Sequence, residues 1–320
     1  MSRIHEALKK AEQERAAAQG GPLQPAYTAP VASDAPALLD QPPYAPQTDG
    51  TAGLPANGNM AAATGMPAFG NSLSLDALLS RCPPQPWQPD EKTMLFFHDD
   101  EGSRGTEEFR TLRSRLYHVR EKMPLKKLLV TSALPKEGKS FTAANLAQVL
   151  MRQHGRRVLL IDGDLRGPRL HLMLGTTSSP GLADYLEGKC DEFAVMQRGA
   201  VENLFFIPSG HEISDPAELV ANGRLQVLMQ RVETLFDWII LDSPPAVPVS
   251  DASVLATACD GVLMVVRSNS TPIDMAQRAR QEFPDKALVG VVLNGIDSDA
   301  KNYTRYYYDA YQKNTTESKT

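Results

Sequence analysis

The sequence predicts an α/β fold, a doubly wound, mostly parallel sheet with helices on both faces. Three observations carry that prediction: six short apolar runs recur along the chain, helical patterns separate most of them, and the runs do not alternate polar with apolar residues. A strand covered on one face alternates, whereas one covered on both faces reads as a continuous apolar run. Strand and helix taken in turn give a parallel sheet whose sites lie at the carboxyl ends of its strands.

From the start of the chain, residues 2–18 read as a short charged helix, with Ser2 as its cap and Ile4, Leu8 and Ala11 along a thin apolar stripe. It is either a solvated, marginal helix or a docking handle, and we take residues 1–19 as a segment of their own. Residues 20–91 are dominated by Pro, Ala, Gly, Gln and Asn, and read as a disordered tether that buries too little apolar area to offset its ordering entropy. Within it, "LSLDALLS" at 73–80 is expected to form a transient helix.

The folded domain is expected over 92–300. Its strands are predicted at 126–132, 157–162, 203–209, 237–243, 261–267 and 287–294, and its helices at 139–153, 216–234, 250–258 and 272–283. No internal repeat is present. Residues 301–320 form a tyrosine-rich tail.

Bulk properties exclude several function classes. A net charge of −5 argues against a nucleic-acid partner. Cys82, Cys190 and Cys259 are odd in number and far apart, which fits neither a disulfide framework nor a zinc site and points to the cytoplasm. No apolar stretch approaches the roughly 20 residues that span a bilayer, and the N-terminus lacks the hydrophobic core of a signal peptide. A soluble chain is expected.

Three strand ends deliver chemistry. The first leads into "SALPKEGKSF" (132–141), in which Gly138-Lys139-Ser140 opens a helix. Backbone amides there cradle phosphates, with Lys139 on the outer phosphates and Ser140 on Mg²⁺. This is a Walker A loop of the P-loop NTPase type, deviant because Ala133 stands where the strict pattern has glycine. The second strand ends in Asp162 and Asp164, which are either caps for the next helix or acids that need a cation beside a phosphate; Arg166 then holds a carboxylate or a phosphate oxygen. The third ends in Asp242, placed to hold Mg²⁺ directly or through water.

Pro135 four residues before the lysine, "LLIDGDLR" and "ILDSPP" together resemble the bacterial tyrosine kinases of exopolysaccharide and capsule synthesis. The resemblance spans roughly 92–311 and includes "GLADYLEGK", "IPSGHEISDPAEL" and "SDASVLATACDGVLMVVR". It implies that Ala133 is tolerated because the family keeps only the later part of the loop, with Pro135 shaping the turn. It also implies ATP and Mg²⁺ as cofactors, with ATP held by Pro135, Lys136, Glu137, Gly138, Lys139, Ser140, Phe141 and Arg166. Catalysis would rest on Lys139, Asp162 as base, Asp164 and Asp242, with the metal on Ser140, Asp164 and Asp242.

"EEFRTLRSR" matches the family's Glu-x-x-Arg-x-x-Arg element at Glu107, Arg110 and Arg113, which implies a ring of subunits; otherwise it is a solvated helix face with ion pairs. "YTRYYYDAY" holds Tyr303, Tyr306, Tyr307, Tyr308 and Tyr311, which read either as an amphipathic helix or, by resemblance, as acceptors phosphorylated in trans. The implied activator is a separate membrane protein related to polysaccharide chain-length regulators, which recruits the kinase to the inner face of the plasma membrane. Two other readings compete. One is an ATPase switch similar to the cell-division-site and plasmid-partition ATPases, against which Leu134 counts because those carry lysine there. The other is a nucleotide-binding adaptor of an export complex.

Overall fold

The structure, a computed structural model, describes residues 74–97, 105–153, 155–199 and 203–296. Among them a seven-stranded sheet runs β3-β4-β2-β5-β1-β6-β7. Its strands are β1 (Lys127–Ser132), β2 (Val158–Asp162), β3 (Gln197–Arg198), β4 (Leu204–Ile207), β5 (Trp238–Asp242), β6 (Gly261–Arg267) and β7 (Ala287–Asn294). All pairings are parallel except that of β3 with β4. The six predicted strands are all present within a few residues of their expected ends. The two-residue β3 was not foreseen, being too short to leave a periodic signal.

The continuous apolar runs have the predicted cause in the strands at the centre of the sheet, but not in β7, where Val291 and Leu293 are exposed. Leu129, Leu159, Ile161, Phe205, Ile239 and Leu241 pack on one face of the sheet, and Leu128, Val130, Leu160, Phe206, Trp238 and Ile240 on the other. Alternate residues of β1, β2, β4 and β5 therefore enter different cores, and polar side chains are confined to the ends of these strands.

The second of those faces is covered by α2 (Thr106–Arg120) and α3 (Lys139–Met151), through Phe109, Leu116, Leu146 and Leu150. Two short helices that the sequence reading omitted follow: α4 (Leu170–Leu174) and α5 (Leu182–Leu186). The single helix predicted at 216–234 is two, α6 (Pro216–Ala221) and α7 (Arg224–Val232). Gly223 separates them at φ 81°, a left-handed backbone that ends α6. α8 (Asp251–Ala256) and α9 (Ile273–Gln281) complete the order.

The expected boundary of the tether at residue 91 is corrected. Residues 74–91 belong to the folded unit: Ser74 caps α1 (Leu75–Arg81) by accepting the Ala77 N–H at 3.1 Å. Leu78 is fully buried, and Cys82 and Trp87 nearly so. Pro84 bridges to Arg198 of β3. Composition misled here because a few large apolar residues among many prolines anchor the segment. The predicted helix at 2–18, the rest of the tether, and the tail with its five tyrosines lie outside the described residues.

Leu78→Ala tests that anchoring. Emptying a fully buried leucine site costs about 2–5 kcal/mol, so the urea midpoint of the full chain falls clearly. An unchanged midpoint would mean that this segment does not pack on the domain.

Candidate functional site

The site is assembled at the carboxyl ends of β1, β2 and β5, adjacent in the sheet. β1 runs into the loop 133–138, and α3 begins at Lys139. The loop contains two left-handed residues, Lys136 at φ 65° and Gly138 at φ 97°. The backbone requires glycine there, and a Cβ on Gly138 would also lie 2.1 Å from Nδ2 of Asn294, displacing that amide. Ala133 is fully buried and is not among the positive-φ residues, so alanine meets no backbone strain at that position.

Register brings the acids together. Asp162 at the end of β2 is the direct partner of Asp242 at the end of β5. Both are fully buried, and Asp164 and Lys139 nearly so. Lys139 Nζ donates to Asp164 Oδ2 at 2.6 Å. Asp162 accepts the Leu170 N–H at 3.1 Å and the Asp164 N–H at 3.3 Å, so the capping role weighed for it is also filled. Both oxygens of Asp242 are buried without a hydrogen-bond partner.

One ammonium thus faces three carboxylates. Burial alone would lower the Lys139 pKa, but Asp242, Asp164 and Asp162 outweigh it and hold the amine above its ordinary value. Burial first, then Asp242, pushes the Asp162 carboxyl well above the usual carboxylate range, against the pull of the Leu170 N–H. Burial raises Asp242 as well, moderated by Lys139 and by the nearby Ser140 hydroxyl. Such perturbed acids in a cleft are what a cation or a reacting group exploits.

A cavity of about 660 Å³, within the range of small-ligand pockets, opens onto Lys139 and Asp164 of this cluster, while Asp162 and Asp242 lie fully buried behind its wall. Pro135, Lys136, Gly138, Lys139, Ser140, Phe141, Asp164 and Arg166 line it, with Pro244 and Pro245 from the β5 exit. Asp90, within the expected tether, Thr93 just beyond it, and Leu172 and Met173 of α4 form further wall. The donor set fits a hard divalent cation: an orphaned pair of carboxylate oxygens on Asp242, a hydroxyl on Ser140 and a second carboxylate on Asp164.

Two side chains near the loop have partners that the sequence does not announce. The Glu137 side chain turns inward, where one oxygen accepts the Leu134 N–H at 2.9 Å and the other the Thr271 hydroxyl; it braces the loop, and any contact with a nucleotide falls to its backbone N–H. Arg166 does take a carboxylate, but it is Asp251 of α8, in a two-point contact at 2.7 and 3.0 Å, and neither of the β2 acids. On α2, Glu107 pairs with Arg110, and Arg113 donates to the Val149 carbonyl at 3.0 Å, both within this chain.

Asp251, Thr271, Arg267 and Asn294 were missed as site-supporting residues. Each lies about 85 residues or more along the chain from the group it touches, and no local pattern encodes such a pairing.

Similarity to known proteins agrees with this geometry. Residues 136–276 match the family described as the AAA domain. The tyrosine-protein kinase YwqD of Bacillus subtilis is 33% identical over 207 residues, covering 64% of this chain and 87% of YwqD. The tyrosine-protein kinase wzc of Salmonella typhimurium is 32% identical over 208 residues, covering 64% of this chain; the match spans only 29% of wzc. The solved kinase domain of the Escherichia coli tyrosine kinase ETK superposes with a TM-score of 0.58 at 30% identity, over 62% of this chain and 78% of that domain.

Asp242→Asn tests the charge imbalance. Removing one of three crowded carboxylates is expected to raise the stability of the ligand-free protein by about 1 kcal/mol while kinase activity collapses, the trade-off of a strained active site. A loss of stability in thermal unfolding would show that the acids do not repel one another in the folded state.

With its strand-end acids, its Walker A lysine and a 33% identical tyrosine-protein kinase of which it covers 87%, the chain belongs to the bacterial tyrosine-protein kinase family.

Proposed function

We propose that the chain, a protein-tyrosine kinase by family, transfers the γ-phosphoryl group of Mg²⁺-bound ATP to tyrosines of a neighbouring copy of itself. The single observation that carries this reading is the convergence of Lys139, Asp162, Asp164 and Asp242 under one cavity.

The loop amides and Lys139 would bind the β- and γ-phosphates, replacing part of the present Lys139–Asp164 contact. Ser140, Asp164 and Asp242 would hold Mg²⁺, which supplies charge neutralisation on the transferring group. A tyrosine phenol has a pKa near 10, so it needs a carboxylate to take its proton as the new O–P bond forms and the bond to ADP breaks. Asp162 is assigned that task. Burial and the neighbouring acids disfavour its charge, and Lys139 with a bound cation would favour the ionised form that a base needs.

The acceptors would be Tyr303, Tyr306, Tyr307, Tyr308 and Tyr311, presented across a ring joined through Glu107, Arg110 and Arg113. Each phosphotyrosine adds about −1.5 to −2 charges, and several in one tail would repel the acidic protein and loosen the ring. A separate membrane activator related to polysaccharide chain-length regulators would bring the kinase to the inner face of the plasma membrane, where the cycle regulates exopolysaccharide polymerisation and export. Among the described residues no helix is long and apolar enough to cross a membrane, which leaves that task to a partner.

Incubation with Mg²⁺-ATP followed by mass spectrometry tests both halves. Lys139→Met should cut phosphotyrosine formation by at least about 10²-fold, and replacing the five tail tyrosines by phenylalanine should remove the modified peptide without abolishing ATP binding. Normal labelling in the Lys139 variant would refute the mechanism; labelling elsewhere in the tail variant would refute the choice of acceptors.

A further inference from the structure

The ends of β6 and β7 reach the phosphate loop through a set of contacts that catalysis as proposed above does not use. Glu137 is only 3% exposed, and both its oxygens are engaged, one by the Leu134 N–H at 2.9 Å and the other by the Thr271 hydroxyl. The same Thr271 oxygen accepts the Arg267 N–H at 3.0 Å. The Arg267 guanidinium donates to the Lys136 carbonyl at 3.1 Å, and the Asn294 amide donates to the Glu137 carbonyl at 2.9 Å.

These contacts fall where the loop is hardest to hold. Lys136 and Gly138, on either side of Glu137, are both left-handed, a region that lysine seldom occupies. In a trans peptide the N–H points opposite to the preceding C=O. Tying the carbonyls of Lys136 and Glu137 toward β6 and β7 therefore turns the N–H groups of Glu137 and Gly138 away from that brace. Successive N–H groups turned the same way form an anion-binding concavity.

We infer that Thr271, Arg267 and Asn294 are positioning residues that hold the phosphate loop in its nucleotide-binding shape before ATP arrives. This rests on the reading of the loop as the ATP cradle. None of the three needs to touch ATP; they act through Glu137 and the loop backbone. Their removal leaves a loop that must be ordered by the nucleotide itself, so affinity falls while the chemistry at saturation survives.

The test measures ATP binding with Mg²⁺ by isothermal titration, together with kcat and KM for ATP, in Thr271→Val and Thr271→Ser. Loss of a hydrogen bond to a buried carboxylate predicts that Thr271→Val binds ATP about tenfold more weakly and raises KM for ATP alike, with kcat nearly kept. Thr271→Ser, which keeps the hydroxyl, binds as the unaltered protein does. Arg267→Ala and Asn294→Ala give the same split if the valine variant does not fold. Undiminished ATP affinity in the variants, or a fall in kcat with KM unchanged, overturns the inference. Failure of the unaltered protein to bind ATP would instead overturn the reading on which it rests.

Discussion

Everything at this site follows from one electrostatic imbalance: a single buried ammonium, Lys139, set among the carboxylates of Asp162, Asp164 and Asp242. Its direct bond to Asp164 satisfies one acid, backbone N–H groups partly satisfy Asp162, and Asp242 has only the nearby Ser140 hydroxyl and Ser243 N–H, neither in a well-formed hydrogen bond. Removing charge from water is costly, and a protein tolerates it only where something else returns the energy. A divalent cation and a triphosphate together would do so, because the cation answers the acids while the phosphates engage Lys139.

The fold makes that imbalance unavoidable. β2 and β5 are direct neighbours in register, so acids closing both strands stand side by side. β1 pairs with β5 on its other side, which sets the start of α3, and with it Lys139 and Ser140, next to those acids. Fully apolar strands on two-sided cores hold the ends rigidly enough that the carboxylates cannot swing away. The brace from β6 and β7 extends the same logic to the loop, so five of the seven strands and the turn after β6 contribute to a site that looks, in one dimension, like three short motifs.

Much of this was legible in the amino-acid order because it is local. Continuous apolar runs report strands buried on two faces, and an aspartate closing such a run reports a carboxylate at a strand tip. Gly138-Lys139-Ser140 between a strand and a helix reports a phosphate loop. Long-range pairing left no such trace. Arg166 finds Asp251, and Glu137 finds Thr271, only after the chain has folded. Residues 74–91 misled for a related reason: their composition is that of a tether, yet Leu78, Cys82 and Trp87 each fill a place in the core that only the folded sheet provides. The split of α6 from α7 turned on a single left-handed glycine, too small a signal to interrupt a helical pattern read across it.

Crystals grown with a non-hydrolysable ATP analogue and Mn²⁺ in place of Mg²⁺ would locate the cation by its anomalous scattering. A single peak bounded by the Ser140 hydroxyl and the carboxylates of Asp164 and Asp242, with Lys139 turned from Asp164 to the phosphates, is the predicted outcome. A nucleotide bound with Lys139 still paired to Asp164 and no metal beside Asp242 would contradict it.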